Sequence, residues 1–313
     1  MRMPFGSGTQ SQQTIADRSH GVGIPPKTEA TPGPDSPLDL TARDWKATAK
    51  HAVKEIRKDR ITLAAAGMAF YFFLAVFPAL IAAVGLLDLL NASSVFLSSL
   101  IDSIQRSMPG GAGELLIRAI DSAQKGSKGA SLIAATVGIA VALWSATSGM
   151  VALQTGLNIA YDVPKERPFI KTRLVALLLV LATGILGAAS APFFAAKGVI
   201  WSVAGWLVTL VSITTLFAIF YYLGPNREKP NWKWITPGGV LGGAIFLLSS
   251  LGFSIYVSNF AKYGDTYGQL AGVVILIFWL YLSALAILVG GELNSALERR
   301  TSKKGRTALK TSG

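Results

Sequence analysis

Long apolar stretches alternate with short polar segments along most of this chain, and several of the stretches contain no charged residue. Each reaches the length of about 20 residues that a helix needs to cross the hydrocarbon core of a bilayer. The predicted spans are residues 61–87, 130–161, 174–196, 198–224, 234–261 and 266–291. The pattern therefore predicts an all-α, polytopic integral membrane protein with six transmembrane helices.

Four segments lie outside these spans. Residues 1–42, rich in Pro, Gly, Ser and Thr, are predicted to be a disordered tail because they cannot bury enough apolar surface. In residues 43–60 apolar side chains recur every three or four positions among lysines, which predicts a basic amphipathic helix on the membrane surface. A solvated lead-in to the first span is the alternative. Residues 91–129 are predicted to be an extracytoplasmic loop with amphipathic helices, and residues 293–313 a basic cytoplasmic tail.

The positive charge is distributed unevenly. Of the 29 Lys and Arg residues, 23 lie in the two termini and in segments 162–173 and 227–233, which share one side of a six-span topology. Because short segments rich in Lys and Arg stay in the cytoplasm, both termini are predicted to be cytoplasmic, an N-in/C-in arrangement. Topology and anionic lipid at the cytoplasmic face thus explain the net charge of +12 without nucleic acid.

Few residues could carry metal, cofactor or catalytic chemistry. The chain has no Cys, and its two His, His20 and His51, precede the first span, so a thiolate or His metal centre inside the membrane is excluded. It has no Walker-type phosphate-binding loop. No acid, base and nucleophile converge in the sequence, which therefore predicts no cofactor, no metal and no enzymatic activity. Residues 1–40 contain no recognisable cleavable signal peptide.

Polar residues in or beside the spans are candidates for a polar pathway or a gate, because such groups are costly in lipid. Gln154 and Asn158 share one helical face, and Glu292 closes the last span. The other candidates, around the segment between the fifth and sixth spans, are Asn259, Tyr263, Asp265, Tyr267 and Gln269. The alternative is structural: amides bonded to a neighbouring helix, tyrosines at the outer interface, and Glu292 near Arg299 or Arg300.

Small residues and one proline are candidates for helix packing or kinks. Pro78 interrupts the first span, where it removes a backbone hydrogen bond. GxxxG spacings allow helix backbones to approach closely. The residues in these patterns are Gly238, Gly239, Gly242, Gly243, Gly268 and Gly272. Tight packing is the favoured interpretation, and a hinge for transport is the alternative.

Four blocks resemble a known family. They are AAAGMAFYFFLAVFPALI (64–81), LWSATSGMVALQTGLNIAYDVPKERPFIKTRL (143–174), YYLGPNREKPNWKWITPGG (221–239) and FSIYVSNFAKYGDTYGQLAGVVILIFWLYLSALAILVGGELN (253–294). In this order and spacing, the chain resembles the YihY/BrkB family over roughly residues 54–297. The resemblance implies a six-helix protein of the bacterial inner membrane. Members have been labelled virulence or serum-resistance factors and ribonucleases (a label regarded as misassigned), and have been linked to lipid or lipopolysaccharide export.

The sequence and the resemblance together predict a transporter or exporter of a lipid or an amphipathic solute in the bacterial envelope. The alternative is a non-transporting membrane scaffold for envelope assembly or for stress and serum resistance; ribonuclease activity is not expected. A cavity that reaches Gln154 and Gln269 would favour transport, and a dry bundle would favour the scaffold. Membrane lipids are the predicted partners, while a homo-oligomer and envelope protein partners stay open.

Overall fold

The computed structural model describes residues 40–89, 98, 101–102, 104–105, 111–127, 132–195, 199–227, 232–259 and 269–311. Every regular element within these ranges is an α-helix, which confirms the predicted all-α class. The longer helices are α1 (Ala42–Lys58), α2 (Ile61–Leu89), α3 (Gly111–Ser127), α4 (Leu132–Ala160), α5 (Phe169–Ala195), α6 (Val199–Leu223), α7 (Trp232–Asn259) and α8 (Gln269–Thr311).

Five of these helices, α2 and α5 to α8, are long and apolar enough to cross a membrane. They support a multi-pass membrane protein. The remaining predicted span coincides with α4. This helix has 29 residues, as many as α2, and therefore the same length at 1.5 Å per residue. Six spans and the N-in/C-in orientation stay predictions.

Helix α1 begins with a capping box, in which the Thr41 side chain accepts from the backbone of Asp44 and the Asp44 carboxylate accepts in return. Its protein-facing side buries Thr48 and Ala52, while Val53, on the predicted apolar stripe, is 53% exposed. The predicted apolar stripe is therefore divided, because Trp45 and Ile56 pack on the bundle while Ala49 and Val53 are exposed. Binding of that stripe to a membrane surface stays a prediction.

Helix α8 is the central element of the bundle. From Ala284 to Leu297 nearly every side chain is buried, and Leu288 is packed among residues of α2, α4, α6 and α7. The helix continues beyond Glu292, where the sequence predicts the start of a tail. The physical reason is apolar spacing, because Leu293 and Leu297 lie one turn apart and pack against Trp45 of α1 and against Leu40, which precedes α1.

Two compact units divide the chain. One, Ser36–Arg300, contains the bundle. The other combines Met1–Asp35 with Thr301–Gly313, and in it the structure describes only the backbone of α8 as far as Thr311.

The predicted loop 91–129 contributes a buried helix to the bundle. In α3, Leu116 and Ile120 are almost fully buried, and they belong to one apolar cluster with Ala69 of α2 and Leu276 of α8. Periodicity identified the amphipathic character of this segment. Its docking on two spans could not be derived from periodicity, because the partner of an amphipathic face is not encoded in its spacing.

The glycines of α7 face two different helices. A methyl group on Gly242 would lie 2.7 Å from the Tyr221 hydroxyl of α6 and 3.1 Å from the Ala286 carbonyl oxygen of α8. On Gly239 it would lie 3.2 Å from the Thr214 carbonyl oxygen of α6. The GxxxG pairs of α7 thus lie at close helix contacts, as small residues do in membrane bundles.

The other predicted packing residues have different surroundings. Gly272 of α8 packs on Gly111 of α3, since a methyl group there would lie 2.9 Å from the Gly111 carbonyl oxygen. Helix α2 runs through Pro78 without ending. Gly268 lies outside the described residues.

Candidate functional site

A lateral groove of about 440 Å³ lies between α2 and α4. The two helices touch closely at Gly149 and Gly156, where a methyl group would meet Ala75 and Met68, and the groove lies beside this contact. Its lining is mainly apolar, and its volume falls within the range of about 300–1,000 Å³ typical of small-molecule sites. The polar groups that line it are Tyr71, Ser148, Thr155 and Arg173.

The groove is open along its side. Gly67 and Thr155 are exposed, Tyr71 is 50% exposed, and a side chain at Gly67 would meet nothing within 4 Å. Because α2 is a candidate membrane span, this opening faces the lipid if α2 crosses the bilayer. An amphiphile could then enter from the side, without passing through the centre of the bundle.

Arg173 of α5 provides the positive charge of the groove. Its Nη1 donates hydrogen bonds to the hydroxyls of Thr147 and Ser148, both at 3.0 Å, and its guanidinium lies 4.0 Å from the centre of the Trp144 ring. Within the described part of the chain, its Nε and Nη2 groups have no hydrogen-bond partner. A guanidinium carries five N–H donors, so this one is fixed by α4 and keeps donors for an anionic group.

Gln154 and Asn158 do not line the groove. Gln154 is 2% exposed; its Nε2 donates to the Thr172 carbonyl oxygen at 3.0 Å, and its Oε1 accepts from Arg167 at 3.3 Å. Asn158 accepts a hydrogen bond from the backbone N–H of Asn226 at 2.9 Å. These contacts anchor the first turn of α5 and loops 161–168 and 224–227 to α4, and a role in a polar pathway stays a prediction.

Loop 161–168, loop 224–227 and residues 292–299 of α8 meet at one end of the bundle, called the polar end below. Arg167 donates to the carbonyl oxygens of Gly224 and Pro225 at 2.5 and 2.7 Å, directly after α6 ends. Burial lowers the pKa of Arg167 from its ordinary value. A cation is stabilised beside the partial negative charge of a helix C-terminus. Arg167 therefore holds the end of α6 against α4.

Three carboxylates meet beside the polar end. Glu55 belongs to α1, Asp59 is its C-cap, and Asp162 follows α4; one oxygen from each lies within 4.8 Å of the others. Burial, and next the charge of Asp162, raise the pKa of the Asp59 carboxyl above its ordinary value. A hydrogen bond from Lys58 lowers the pKa of Glu55. We call Glu55, Asp59 and Asp162 the acidic cluster.

Glu292, a candidate from the sequence, belongs to the part of α8 at the polar end. It is 1% exposed, and neither of its carboxyl oxygens has a hydrogen-bond partner among the described residues. Its predicted neighbour Arg299 pairs with Asp162 instead.

The candidates around the segment 259–269 cannot be placed in a site. Tyr263, Asp265 and Tyr267 lie outside the described residues, as do the side chains of Asn259 and Gln269. Their predicted role as a gate stays a prediction.

Sequence reasoning missed the groove because it placed the start of the third span at residue 174. Helix α5 begins at Phe169, so Lys171 and Arg173 lie in its first turns. The available signal was the spacing of Phe169 and Arg173, an aromatic residue followed four positions later by a cation. Ser145 and Ser148 of α4 were the polar residues that could have suggested a partner for this cation. The acidic cluster could not be predicted from the sequence, because Asp162 after α4 joins Glu55 and Asp59 at the end of α1 only in the folded chain.

Comparisons with known proteins agree with the architecture. The model of the family "Virulence factor BrkB" matches residues 52–312. A ribonuclease-like protein, YfkH, of Bacillus subtilis strain 168 is 32% identical over 252 residues, which cover 75% of this chain and 89% of that protein.

Two further relatives are called UPF0761 membrane proteins. That of Photobacterium profundum is 29% identical over 265 residues, covering 79% of each chain. That of Methylibium petroleiphilum is 28% identical over 259 residues, covering 79% of this chain and 61% of its own. No solved structure matches. On the extent of the family match, the chain belongs to the virulence factor BrkB family of membrane proteins.

Proposed function

We propose that this protein moves an anionic amphiphile, a lipid or a lipid-like solute, across the bacterial inner membrane, with both termini in the cytoplasm. The observation that carries the proposal is the lateral groove between α2 and α4, with an apolar lining and the guanidinium of Arg173. An apolar chain would lie along the groove, and its anionic group would bind the free N–H donors of Arg173.

The charge of Arg173, and not hydrophobic burial, gives this groove its selectivity among lipids. Each CH₂ group removed from water gains about 0.8 kcal/mol, but an acyl chain already in lipid gains little from entering a protein groove. Discrimination among lipids must therefore come from the head group. A hydrogen bond to a charged group contributes about 1.5–3 kcal/mol, so Arg173 favours anionic over zwitterionic lipids.

The direct test is a lipid translocation assay on the purified protein in liposomes. NBD-labelled phosphatidylglycerol and phosphatidylcholine serve as anionic and zwitterionic probes, and dithionite reports the label that reaches the outer leaflet. The assay is run with and without a proton gradient. We expect faster movement of the anionic probe than in empty liposomes; equal rates in both would refute transport of these lipids and leave the scaffold alternative.

Replacing Arg173 tests the role of the charge. Arg173→Ala is expected to slow the phosphatidylglycerol probe about tenfold or more, the loss of one charge-assisted contact, and to affect the phosphatidylcholine probe little. Since Arg173 also binds Thr147 and Ser148, thermal unfolding of the variant must be measured in parallel. An equal loss for both probes would show that the charge does not select the head group.

Filling the groove tests the pathway itself. Gly67→Phe puts an aromatic ring into space where nothing lies within 4 Å of the new side chain's first carbon, so the fold should tolerate it while the groove closes. Gly184→Phe in α5 is the matched control, because Gly184 is also exposed with nothing within 4 Å and lies outside the groove. We expect Gly67→Phe to stop movement of both probes and Gly184→Phe to leave it unchanged.

We do not propose ribonuclease activity for this protein, although the Bacillus relative is named ribonuclease-like. The Glu292 carboxyl is buried, so it cannot touch an RNA phosphate. The chain has only two His and no Cys to hold a metal of the zinc type. We propose no catalytic reaction, and RNA cleavage by the purified protein would contradict that.

A further inference from the structure

The side chain of Arg173 points away from the polar end of the bundle. The carbonyl oxygen of the preceding residue, Thr172, accepts a hydrogen bond from Gln154, so the backbone of α5 lies here at about the level of Gln154. The guanidinium instead binds Ser148 and stacks on Trp144. Ser148 is about 9 Å further from the end of α4 than Gln154, at 1.5 Å per residue. Arginines in membrane helices normally extend towards the water at the interface, and Arg173 does the opposite.

The lateral groove runs from the polar end to this guanidinium. Its lining on α4 extends from Ile159, beside the end of the helix, to Ser148, which is about 16 Å at 1.5 Å per residue. On α2 the lining extends from Ala64, in the first turn, to Tyr71. Because the hydrocarbon core of a bilayer is about 30 Å thick, the inner end of the groove lies near the middle of the membrane if α4 crosses it.

The guanidinium offers one unoccupied edge to this groove. Among the described residues that line the groove, only Arg173 is charged. Its Nη1 is occupied by the hydroxyls of α4, while Nε and Nη2 have no hydrogen-bond partner in the described ranges. These two groups form the edge of a guanidinium that binds two oxygens of one phosphate through parallel hydrogen bonds. Charged groups at such a depth face water-filled cavities and mark pathways.

The rest of the lining restricts the head group that fits. No carboxylate lines the described part of the groove, so an ammonium group would lose water there without gaining a partner, which is costly. A second negative charge would likewise meet no second cation. The hydroxyls of Tyr71 and Thr155 also line the groove, and they can donate to and accept from uncharged hydroxyl groups. The groove therefore fits a phosphodiester with one negative charge and a neutral head group that carries hydroxyls.

We propose that the groove is a hydrated path along which the head group of such a lipid moves from the polar end to Arg173, while its acyl chains stay in the surrounding bilayer. The phosphate binds the Nε and Nη2 edge of Arg173, and the head-group hydroxyls bind Tyr71 and Thr155. The substrate class is monoanionic phosphodiester lipids such as phosphatidylglycerol. This inference rests on the proposed function, whose orientation makes the cytoplasmic leaflet the side of entry.

Cysteine labelling tests whether water fills the groove, since the chain has no Cys of its own. Tyr71→Cys places a thiol in the groove and Phe70→Cys places one at the same depth outside it; the native side chains are 50% and 56% exposed. In phosphatidylcholine liposomes, a water-soluble anionic methanethiosulfonate is expected to label Tyr71→Cys and to leave Phe70→Cys unlabelled, relative to all thiols in denatured protein.

The two proposals can fail separately in this experiment. An unlabelled Tyr71→Cys, or equal labelling of the two variants, would overturn the hydrated groove whatever the translocation assay reports. Labelling of Tyr71→Cys alone, in a protein that moves no lipid, would support the hydrated groove and refute only the proposed transport.

Protection of a groove thiol tests the ligand. Val151→Cys places the thiol in the groove and keeps the hydroxyls of Tyr71 and Thr155. Phosphatidylglycerol should protect it at a roughly tenfold lower mole fraction than phosphatidylserine, which has the same net charge and therefore controls for surface potential. Adding Arg173→Ala should remove this difference. Equal protection by both lipids would overturn the proposed substrate class, and protection by inorganic phosphate alone would assign the site to a free anion and overturn the lipid.

Discussion

Gly238→Ala is expected to destabilise the folded protein more than any other single methyl addition in α7, by about 3 kcal/mol, the upper end for overpacking. The new carbon would lie closer than 3.0 Å to the backbone carbonyl oxygen of Gly290 and to the side chain of Asn294. Neither neighbour can move freely. The Gly290 oxygen belongs to the helix backbone of α8, and Asn294 is fully buried.

Asn294 makes this contact more sensitive. Its Oδ1 accepts from the Gly238 N–H at 2.7 Å, and its Nδ2 donates to the Ile235 carbonyl oxygen at 3.0 Å. Pushing α7 away from α8 would stretch both hydrogen bonds and leave buried polar groups unpaired, at about 1–3 kcal/mol each. The helices cannot separate slightly at low cost, because packing and polar pairing depend on the same distance.

Gly252→Ala in the same helix is the matched control. A methyl group there would meet nothing within 4 Å, and Ala is favoured over Gly in a helix by about 0.8–1 kcal/mol. Unfolding in detergent, followed by circular dichroism as denaturant or temperature is raised, should show opposite shifts for the two variants. Similar shifts would mean that α7 and α8 do not pack as described.

Composition and periodicity predicted the helices well because the membrane imposes a length and an apolar composition on each of them. The close packing of α7 was also predictable, because the GxxxG spacing has few uses besides letting backbones approach. Spacing could not reveal that Gly239 faces α6 while Gly242 contacts both α6 and α8. That depends on which helices are neighbours in space.

The candidate sites were harder to predict for the same reason. Gln154 attracts attention as a polar residue in an apolar helix, but its partners Arg167 and Thr172 come from the next loop and helix. From the sequence alone, Arg173 is interpreted as a cation that flanks a span. The structure shows that α5 begins earlier, at Phe169, and that the Arg173 guanidinium lies against the Trp144 ring. Glu55, Asp59 and Asp162 form a cluster only because the ends of α1 and α4 meet.

Arg227→Met is expected to destabilise the protein by about 3 kcal/mol, the lower end for removing one partner of a buried ion pair, because the carboxylate left behind is partly exposed. Arg227 Nη1 contacts both carboxylate oxygens of Glu298 at 2.5 and 2.7 Å, and its Nη2 donates to the Tyr221 carbonyl oxygen at 2.7 Å. The guanidinium also lies 4.3 Å from the centre of the Tyr161 ring. One side chain thus joins the ends of α4 and α6 to α8.

A double-mutant cycle separates the ion pair from the other contacts. Glu298→Gln alone should cost less than Arg227→Met, because the Glu298 side chain is 26% exposed and the Arg227 side chain 12%, and water can solvate Glu298 in part. The double variant should cost less than the sum of the two, as residues in one network do, by about 0.5–3 kcal/mol. Additive effects would show that Arg227 acts through Tyr221 and Tyr161 alone.

The exposed pair Glu114–Arg118 of α3 supplies the reference for a pair without burial. Its side chains are 73% and 66% exposed and 3.5 Å apart, and such helix pairs contribute about 0.3–0.5 kcal/mol. Arg118→Met should therefore leave the unfolding midpoint nearly unchanged while Arg227→Met lowers it steeply. The contrast follows from desolvation: a carboxylate left without its cation is easily hydrated on the surface of α3, and is hydrated only in part at the polar end, where Leu297 and Tyr161 are buried.

Arg227→Lys should recover only part of the loss, because an ammonium group cannot reach Glu298 and the Tyr221 carbonyl with the planar, two-pronged geometry of a guanidinium.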